Sequence, residues 1–532
     1  MIKLVYMVKF GQEKKFFIIL FLLSFTIFAL TSDGHRFTFD EDVTQQQSLW
    51  IATMTPDPRF IPGESRLLFQ YPDYFPGNER SLCNSAILCS QVTIGSALTQ
   101  VPFILLNHTF DFVTSSTLVL TNDDFPDPHY VFWRNSIEPD FIFMELFYGP
   151  FFSALSVGMF YLVSRTYGFS TKISIFLTIL FGITTPIWAY SQTSLNFVPV
   201  TFFVLFGFFF FRKFIITTSS RYIVLSGIVL GFAFLIRNDA ILFIIPLFFF
   251  FIFMSLKNSN KIKNSKRIQN FLLFTLPMIF SYFIHLQFII IRGQAVEEHH
   301  PSWVLGPNPL LDSTAQSPLL LNMFGMLFSP GVGLLIFSPI LFTIFLSYFD
   351  FFKKNKIECL LFVSFLVLFL GFYGLSSETW HGLNGWSERY LTSVIPFLLL
   401  PLGFSIQKRL NKKFYSILIG LGSLGFIFNI FYLVTDVSWF IWGVMGSGRG
   451  LYELGHITSA LWVHPLVIWT FDYSQLTHAA KYAFEYSVTD IFWLKVWGLH
   501  FYSIFSIILI SSFTYCLIYL NKKSITNVKK LQ

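Results

Sequence analysis

Just past its first apolar stretch the chain reads TSDGHRFTFDEDVTQQQSLWIATM, which gathers Asp33, Asp40, Glu41 and Asp42 in one short segment. Thr38 and Glu41 have the T-x-x-E spacing of a capping box, so a helix is expected to start near Phe39 and to end before Pro56. Val43, Trp50, Ile51 and Met54 fall on one face of that helix, which reads as amphipathic and lying on the membrane surface. Carboxylates in a first turn suit the helix dipole. That need accounts for Glu41 and one neighbour, but three acids plus Asp33 exceed it. A carboxylate held at this place could take the proton from a hydroxyl as its oxygen attacks an electrophile.

Other residues with chemical potential are fewer. Cys83 and Cys89 lie six positions apart and could close a small disulfide loop on an oxidising face, or remain two thiols. Cys359 and Cys516 sit in or near apolar runs and read as packing residues. Asn107-His108-Thr109 fits an N-glycosylation acceptor. Glu297, Glu298, His299 and His300 form the one cluster in the linear sequence that could pass for metal ligands. Adjacent histidines do not easily face one ion, so a solvated loop is the preferred reading there. No cofactor is required by any motif, and the expectation extends only to a divalent cation.

The elements that must position these residues follow from composition. Of 532 residues, 54% are hydrophobic and 12% charged, and 72 are Phe. A soluble domain averages about 25% charged residues, so an all-α polytopic membrane protein is expected. Apolar runs at 16–30, 141–164, 173–190, 197–211, 222–236, 240–256, 271–291, 332–349, 358–375, 391–406, 414–435 and 499–520 predict about twelve transmembrane helices. The resulting organisation is a cytoplasmic N-terminus and first helix over 1–30, a large extracytoplasmic loop over 31–139 and a helical core over 140–435. An aromatic-rich extracytoplasmic segment with interfacial helices follows over 436–498, then a last helix and basic tail over 499–532.

Charge sets the expected orientation. Threading the spans alternately puts most of the 36 basic residues on one side, together with only Glu13, Asp350 and Glu358 of the 29 acidic ones. The positive-inside rule then makes both termini cytoplasmic and leaves the chemistry to the extracytoplasmic face of the cell membrane. The net charge of +7 therefore reflects lysines at helix ends and membrane lipid as partner, not nucleic acid.

Four further segments carry a family resemblance: WAYSQTSLNFVP at 188–199, GFAFLIRNDAILFIIP at 231–246, MLFSPGVGLLIFSPIL at 326–341 and WHGLNGWSERYLTSVIPFLLLPLGF at 380–404. With the Asp40-Glu41 pair, they resemble the GT-C superfamily of membrane glycosyltransferases, which includes the protein O-mannosyltransferases and aminoarabinose transferases. The resemblance covers about 30–405, and its last two segments are the most specific. It implies a sugar donor carried on a polyprenyl phosphate, an acceptor hydroxyl on protein, lipid or surface glycan, and an inverting transfer. Carried over residue by residue, it makes Asp40 and Glu41 the catalytic pair, with Asp40 the base. Arg389, Arg237 and Arg292 become candidates for the donor phosphate, Arg389 foremost, and His381 and Trp380 for sugar or acceptor.

Three positions depart from the pattern: Asn196 stands where relatives often carry an acid, Val332 where they carry a base, and Glu388 where proline is usual. An inactive or repurposed member of the superfamily is one consequence, and a scaffold for envelope assembly another. A ligase-type relative using a pyrophosphate-linked glycan is the nearest enzymatic competitor. A transporter fits less well, since it would place charges within its spans and often show internal repeats.

Overall fold

The structure is a computed structural model that describes residues 2–35, 39–53, 93–114, 142–257, 264–292, 318–375, 380–382, 385–409, 412–435, 465–485 and 489–531. Within these the chain is helical, with no strand. The principal helices are α1 (Ile2–Leu30), α2 (Phe39–Thr53), α3 (Ile94–Thr114), α4 (Ile142–Thr166), α5 (Thr171–Thr184), α6 (Phe197–Thr217), α7 (Ser220–Ile236) and α8 (Ile241–Lys257). They continue with α9 (Asn264–Arg292), α10 (Leu319–Phe328), α11 (Ile344–Lys354), α12 (Lys356–Gly374), α13 (Lys412–Val434), α14 (Gln475–Glu485) and α15 (Phe492–Leu531). Eight helical segments of the described residues are long and apolar enough to cross a membrane. The runs expected at 173–190 and 222–236 are helices of 14 and 17 residues.

Two expectations change. The run 332–349 is not one helix: Leu334–Phe337 is followed by a 3₁₀ turn over Pro339–Thr343 and then by α11. Pro339 has no N–H to donate to the turn before it, and Ser338 leaves helical geometry at φ −127°. The segment 31–139, read as a loop, contains α3, a 21-residue helix packed against α2, α4 and α7. Asn107 on α3 is fully buried, and its Oδ1 accepts from the Phe143 N–H at 2.8 Å. The expected glycan acceptor is therefore an interior hydrogen-bonding group. Cys83, Cys89 and 297–300 lie outside the described residues.

Packing inside a bilayer gains nothing from excluding water between helices, so close contact and ring geometry must supply it. Phe208, Phe243, Phe362, Phe365 and Phe397 are fully or almost fully buried and form one such centre, with Phe208 and Phe397 edge-to-face at 5.1 Å. At the end of the bundle that bears the basic residues, Glu13 pairs with Arg165 at 2.8 Å, and Asp350 pairs with Lys408 and Arg409 at 2.7 Å. Glu358 pairs with Arg212. Each of the three acids assigned to that end thus has a cationic partner.

The opposite end is built around an irregular segment between α5 and α6. Its 3₁₀ turn, Ala189–Gln192, is buried throughout. It lies so close to α4 that a Cβ on Gly149 would stand 2.3 Å from the Ser191 carbonyl oxygen and 2.4 Å from that of Thr193. Gly149→Ala should accordingly lower the unfolding temperature of the detergent-purified protein, at a cost of about 1–3 kcal/mol for an overpacked site. Gly371→Ala, where a Cβ meets nothing within 4 Å in α12, should be neutral or stabilising by up to about 1 kcal/mol. Equal unfolding temperatures for the two variants would remove the close approach as a constraint.

Candidate functional site

The helix carrying the acids forms as expected, over Phe39–Thr53. Glu41, Thr44, Gln45 and Ser48 fall on one helical face by their i, i+3, i+4 and i+7 spacing, and all are buried. While Leu49 and Ala52 pack against the apolar core, α2 docks on polar groups of α3, α4 and the 193–196 loop. Among these, the Glu41 Oε1 accepts from the Ser194 N–H at 2.7 Å and lies 3.3 Å from its hydroxyl. Gln45 Nε2 donates to Ser194 Oγ at 3.0 Å and to the Glu145 carboxylate. Ser48 Oγ bonds the Gln100 carbonyl oxygen at 2.9 Å, and Gln100 Nε2 donates to the Ser194 carbonyl at 3.1 Å. Glu41 therefore serves a tertiary contact; Thr38, its capping-box partner in sequence, lies outside the described residues. Asp40 occupies the second residue of α2, one position before Glu41.

The same loop reaches the arginines. Two residues beyond Ser194, Asn196 Oδ1 accepts from Arg237 Nη1 at 3.1 Å. Arg237 stands between α7 and α8 and forks onto Asp239, with Nε–Oδ1 at 2.9 Å and Nη2–Oδ2 at 2.7 Å. Tyr373 OH accepts from Arg237 Nη2 at 2.8 Å and donates to Asp239 Oδ2 at 2.6 Å. Burial works against the Arg237 charge, but Asp239 and its hydrogen bonds outweigh it and hold the guanidinium above its ordinary pKa. The Tyr373 ring stacks on Tyr390 at 3.9 Å. Both Arg237 and Arg389 lie within 6 Å of the Tyr390 ring, at 5.7 and 5.2 Å. The structure thus brings together two arginines that are 152 positions apart in the sequence.

Arg389 itself opens the 3₁₀ turn Arg389–Val394 and is buried. The preceding glycines shape its surroundings: Gly382, at φ +74°, and Gly385 each lie where a Cβ would press on the Arg389 side chain. Tyr190 OH donates to the Trp386 carbonyl at 2.5 Å, tying this segment to the 189–192 turn. Glu388 caps the 3₁₀ turn by accepting from the Tyr390 N–H at 3.4 Å. Burial pushes its carboxyl well above the usual range, opposed by that hydrogen bond and by Arg389. Val332, where a base was expected, is buried, and its carbonyl faces the Ser387 hydroxyl at 3.4 Å. Trp380 and His381 are buried side by side at 5.5 Å, with Trp380 also near Trp469 at 6.3 Å. Arg292 is the last residue of α9, and its side chain is outside what is described.

One cluster has no counterpart among the expected site residues. Asp33, His35 and Asp490 are all buried and present one ligand atom each within 4.8 Å of the others. His35 Nε2 is 2.9 Å from Asp490 Oδ2 and 3.9 Å from Asp33 Oδ2. Burial pushes the Asp33 carboxyl up to about 8, against the pull of His35 and with repulsion from Asp490 and Glu41 adding to it. Its nearness in sequence to Asp40 had marked Asp33, but nothing local marks Asp490, 455 positions from His35.

Comparison with known proteins gives one family match. Residues 147–285 match the family model described as dolichyl-phosphate-mannose-protein mannosyltransferase. That stretch holds Ser194, Asn196 and Arg237 but neither α2 nor Arg389. Among solved structures, the crystal structure of ArnT from Cupriavidus metallidurans bound to undecaprenyl phosphate aligns with 87% of this chain and 77% of that chain, at 10% identity and a TM-score of 0.49. No curated protein matches the sequence.

The Asp239 clamp generates a stability prediction. Asp239→Ala strips the partner from a buried guanidinium, which costs about 3–5 kcal/mol when such a pair is broken from one side. The unfolding temperature should fall accordingly. Arg237→Met combined with Asp239→Leu should recover much of the loss, because no uncompensated charge then remains. A double variant no more stable than Asp239→Ala would mean that the cost lies in packing rather than charge.

Proposed function

With the mannosyltransferase match over 147–285 as premise, we propose that the protein transfers a sugar from a polyprenyl-phosphate-linked donor to an acceptor hydroxyl, with Asp40 as the base. The acceptor oxygen attacks the anomeric carbon while Asp40 takes its proton. The bond from that carbon to the phosphate oxygen breaks on the opposite face, and the polyprenyl phosphate leaves with the electron pair. The product linkage is inverted.

The observation that carries this reading is the continuity of one loop. Ser194 anchors the helix that bears Asp40, and Asn196 anchors Arg237 beside Arg389. A carboxylate base and a cation for a departing phosphate are the two groups this reaction needs. Arg237 is committed to Asp239, so its part is to position Tyr390 and its neighbours, and the phosphate contact falls to Arg389. Asn196 fits the same division: an acid there would add a second negative charge beside Arg237, and Asp239 already supplies one. The basic residues at the other end of the bundle support an extracytoplasmic site, by the positive-inside rule.

The test is label transfer by the purified protein in nanodiscs, using a panel of radiolabelled polyprenyl-phosphate sugars and native membrane extract as acceptor. Asp40→Asn should lose about 10²–10⁴-fold in rate while keeping its unfolding temperature. Arg389→Lys should raise the donor KM more than it lowers kcat. Undiminished transfer by a folded Asp40→Asn variant would remove Asp40 from the mechanism. A wild type that uses no donor, yet co-purifies with envelope proteins, would favour the scaffold reading.

A further inference from the structure

The loop between α1 and α2 meets the start of α15 through polar groups that a helix–helix contact does not need. Phe492 N–H donates to the Ser32 carbonyl at 2.9 Å, and Asp490 N–H to the Val434 carbonyl at 3.0 Å. The first of these bonds joins the two segments, and the second ties the start of α15 to the end of α13. Between them stand the Asp33, His35 and Asp490 side chains, a set of one imidazole and two carboxylates with almost no access to solvent. We propose that these three residues bind a divalent transition-metal ion, Zn²⁺ foremost, that fastens the entry of α2 to the C-terminal helix.

The first support is the disposition of the donors. Two donors each about 2.1 Å from a tetrahedral ion stand about 3.4 Å apart; His35 Nε2 and Asp490 Oδ2, 2.9 Å apart, lie somewhat inside that spacing. Asp33 Oδ2, at 3.9 Å from the same nitrogen, fits a wider angle at the same ion. In binding, the ion takes the place of the proton between His35 and Asp490, so the contact seen at 2.9 Å becomes one edge of a coordination polyhedron. Three protein ligands leave a further position for water or another oxygen donor, as in zinc sites that are not closed by four side chains.

The second support is the unsatisfied oxygen. Asp33 Oδ2 is buried with no hydrogen-bond partner, on a side chain with no solvent exposure at all. Its sister Oδ1 accepts from the His35 N–H at 3.4 Å, which turns Oδ2 toward the imidazole. Asp490 is held in the same manner. Lys495 Nζ donates to its Oδ1 at 2.8 Å, leaving Oδ2 on the His35 side. Each carboxylate thus has one oxygen fixed by an outer partner and the other aimed at a common point, the arrangement by which outer contacts orient metal ligands.

The third support is the backbone. Gly34 separates the two ligands of the loop at φ +79°, a conformation that brings Asp33 and His35 onto one side and that an L side chain rarely adopts. A Cβ there would also lie 2.8 Å from the Phe492 ring. The close approach of α15 and the shared facing of the ligands therefore depend on the same residue. A soft thiolate site is excluded by the ligand types, and a hard all-oxygen site by the imidazole; a nitrogen-and-oxygen set suits zinc or manganese. This inference is independent of the sugar-transfer reading.

The experiment uses the full chain in detergent, stripped with EDTA and titrated with Zn²⁺ or Mn²⁺ by calorimetry, with bound metal counted by mass spectrometry. Wild type should retain one ion per chain and unfold at a higher temperature with metal than without. His35→Gln and Asp490→Asn should each bind at least about 10-fold more weakly and lose the metal-dependent shift. His299→Ala combined with His300→Ala should behave as wild type. If the single variants do not fold, X-ray absorption on the zinc-loaded His299→Ala/His300→Ala protein decides, expecting one imidazole among oxygen donors. No stoichiometric ion in wild type, unchanged binding in folded single variants, or an absorption spectrum without imidazole overturns the proposal. The first of these with a large metal-independent destabilisation by His35→Gln would identify a charge-balanced His–carboxylate clamp instead.

Discussion

The contact between the Glu41 carboxylate and the Ser194 N–H is the constraint from which the site end of the molecule follows. A fully buried carboxylate is costly unless donors surround it, and here the donor belongs to a loop far away in the chain. Because α2 presents Glu41, Thr44, Gln45 and Ser48 inward, hydrogen bonds add to the apolar contacts of Leu49 and Ala52 in setting its place. Such bonds are directional, so they fix the rotation of the helix about its own axis, which greasy packing alone would leave looser. The position of Asp40 along the chain is inherited from this docking. The same loop then sets Arg237 through Asn196, and its preceding turn sets the Arg389 segment through Tyr190.

The two ends of the bundle solve the problem of buried charge differently. At the basic end, Glu13, Asp350 and Glu358 are each paired with an arginine or lysine from another helix, and Lys408 and Arg409 converge on Asp350 from one short stretch. Those pairs hold neighbouring helices in register where a lipid environment supplies no hydrophobic drive. At the other end, acids and arginines are interleaved with tyrosines and amides in a continuous arrangement from Asn196 to Tyr390. A pair that is fully matched is inert. The second arginine there stands beside an aromatic ring, and burial pushes the capping glutamate toward its neutral form.

How far the sequence foretold this depends on whether the signal was local. Hydropathy is a property of a window, so the all-helical membrane class and most of the spans could be read from it, and the boundary near Phe39 followed from two residues at capping distance. The window also misled. It merged 332–349 into one span because Pro339 interrupts an otherwise unbroken apolar run. Arg389 and Arg237 could be named one by one, from segments that resembled a family. Their convergence on Tyr390, and the meeting of Asp33 and His35 with Asp490, are products of folding for which no local pattern exists.

The placement of these long-range contacts explains why the first loop and the last helix belong to one unit. A helix that begins nine residues after a membrane span, as α2 does after α1, could swing on its connection unless that connection is pinned. Backbone bonds from Phe492 and a buried cluster of charged side chains pin it on one side, and Trp493 Nε1 adds a 2.7 Å bond to the Ala29 carbonyl at the end of α1. Glu41 pins it on the other. The C-terminal helix, although remote in sequence from every motif, is therefore tied to the end of α1 and to the residues just beyond it.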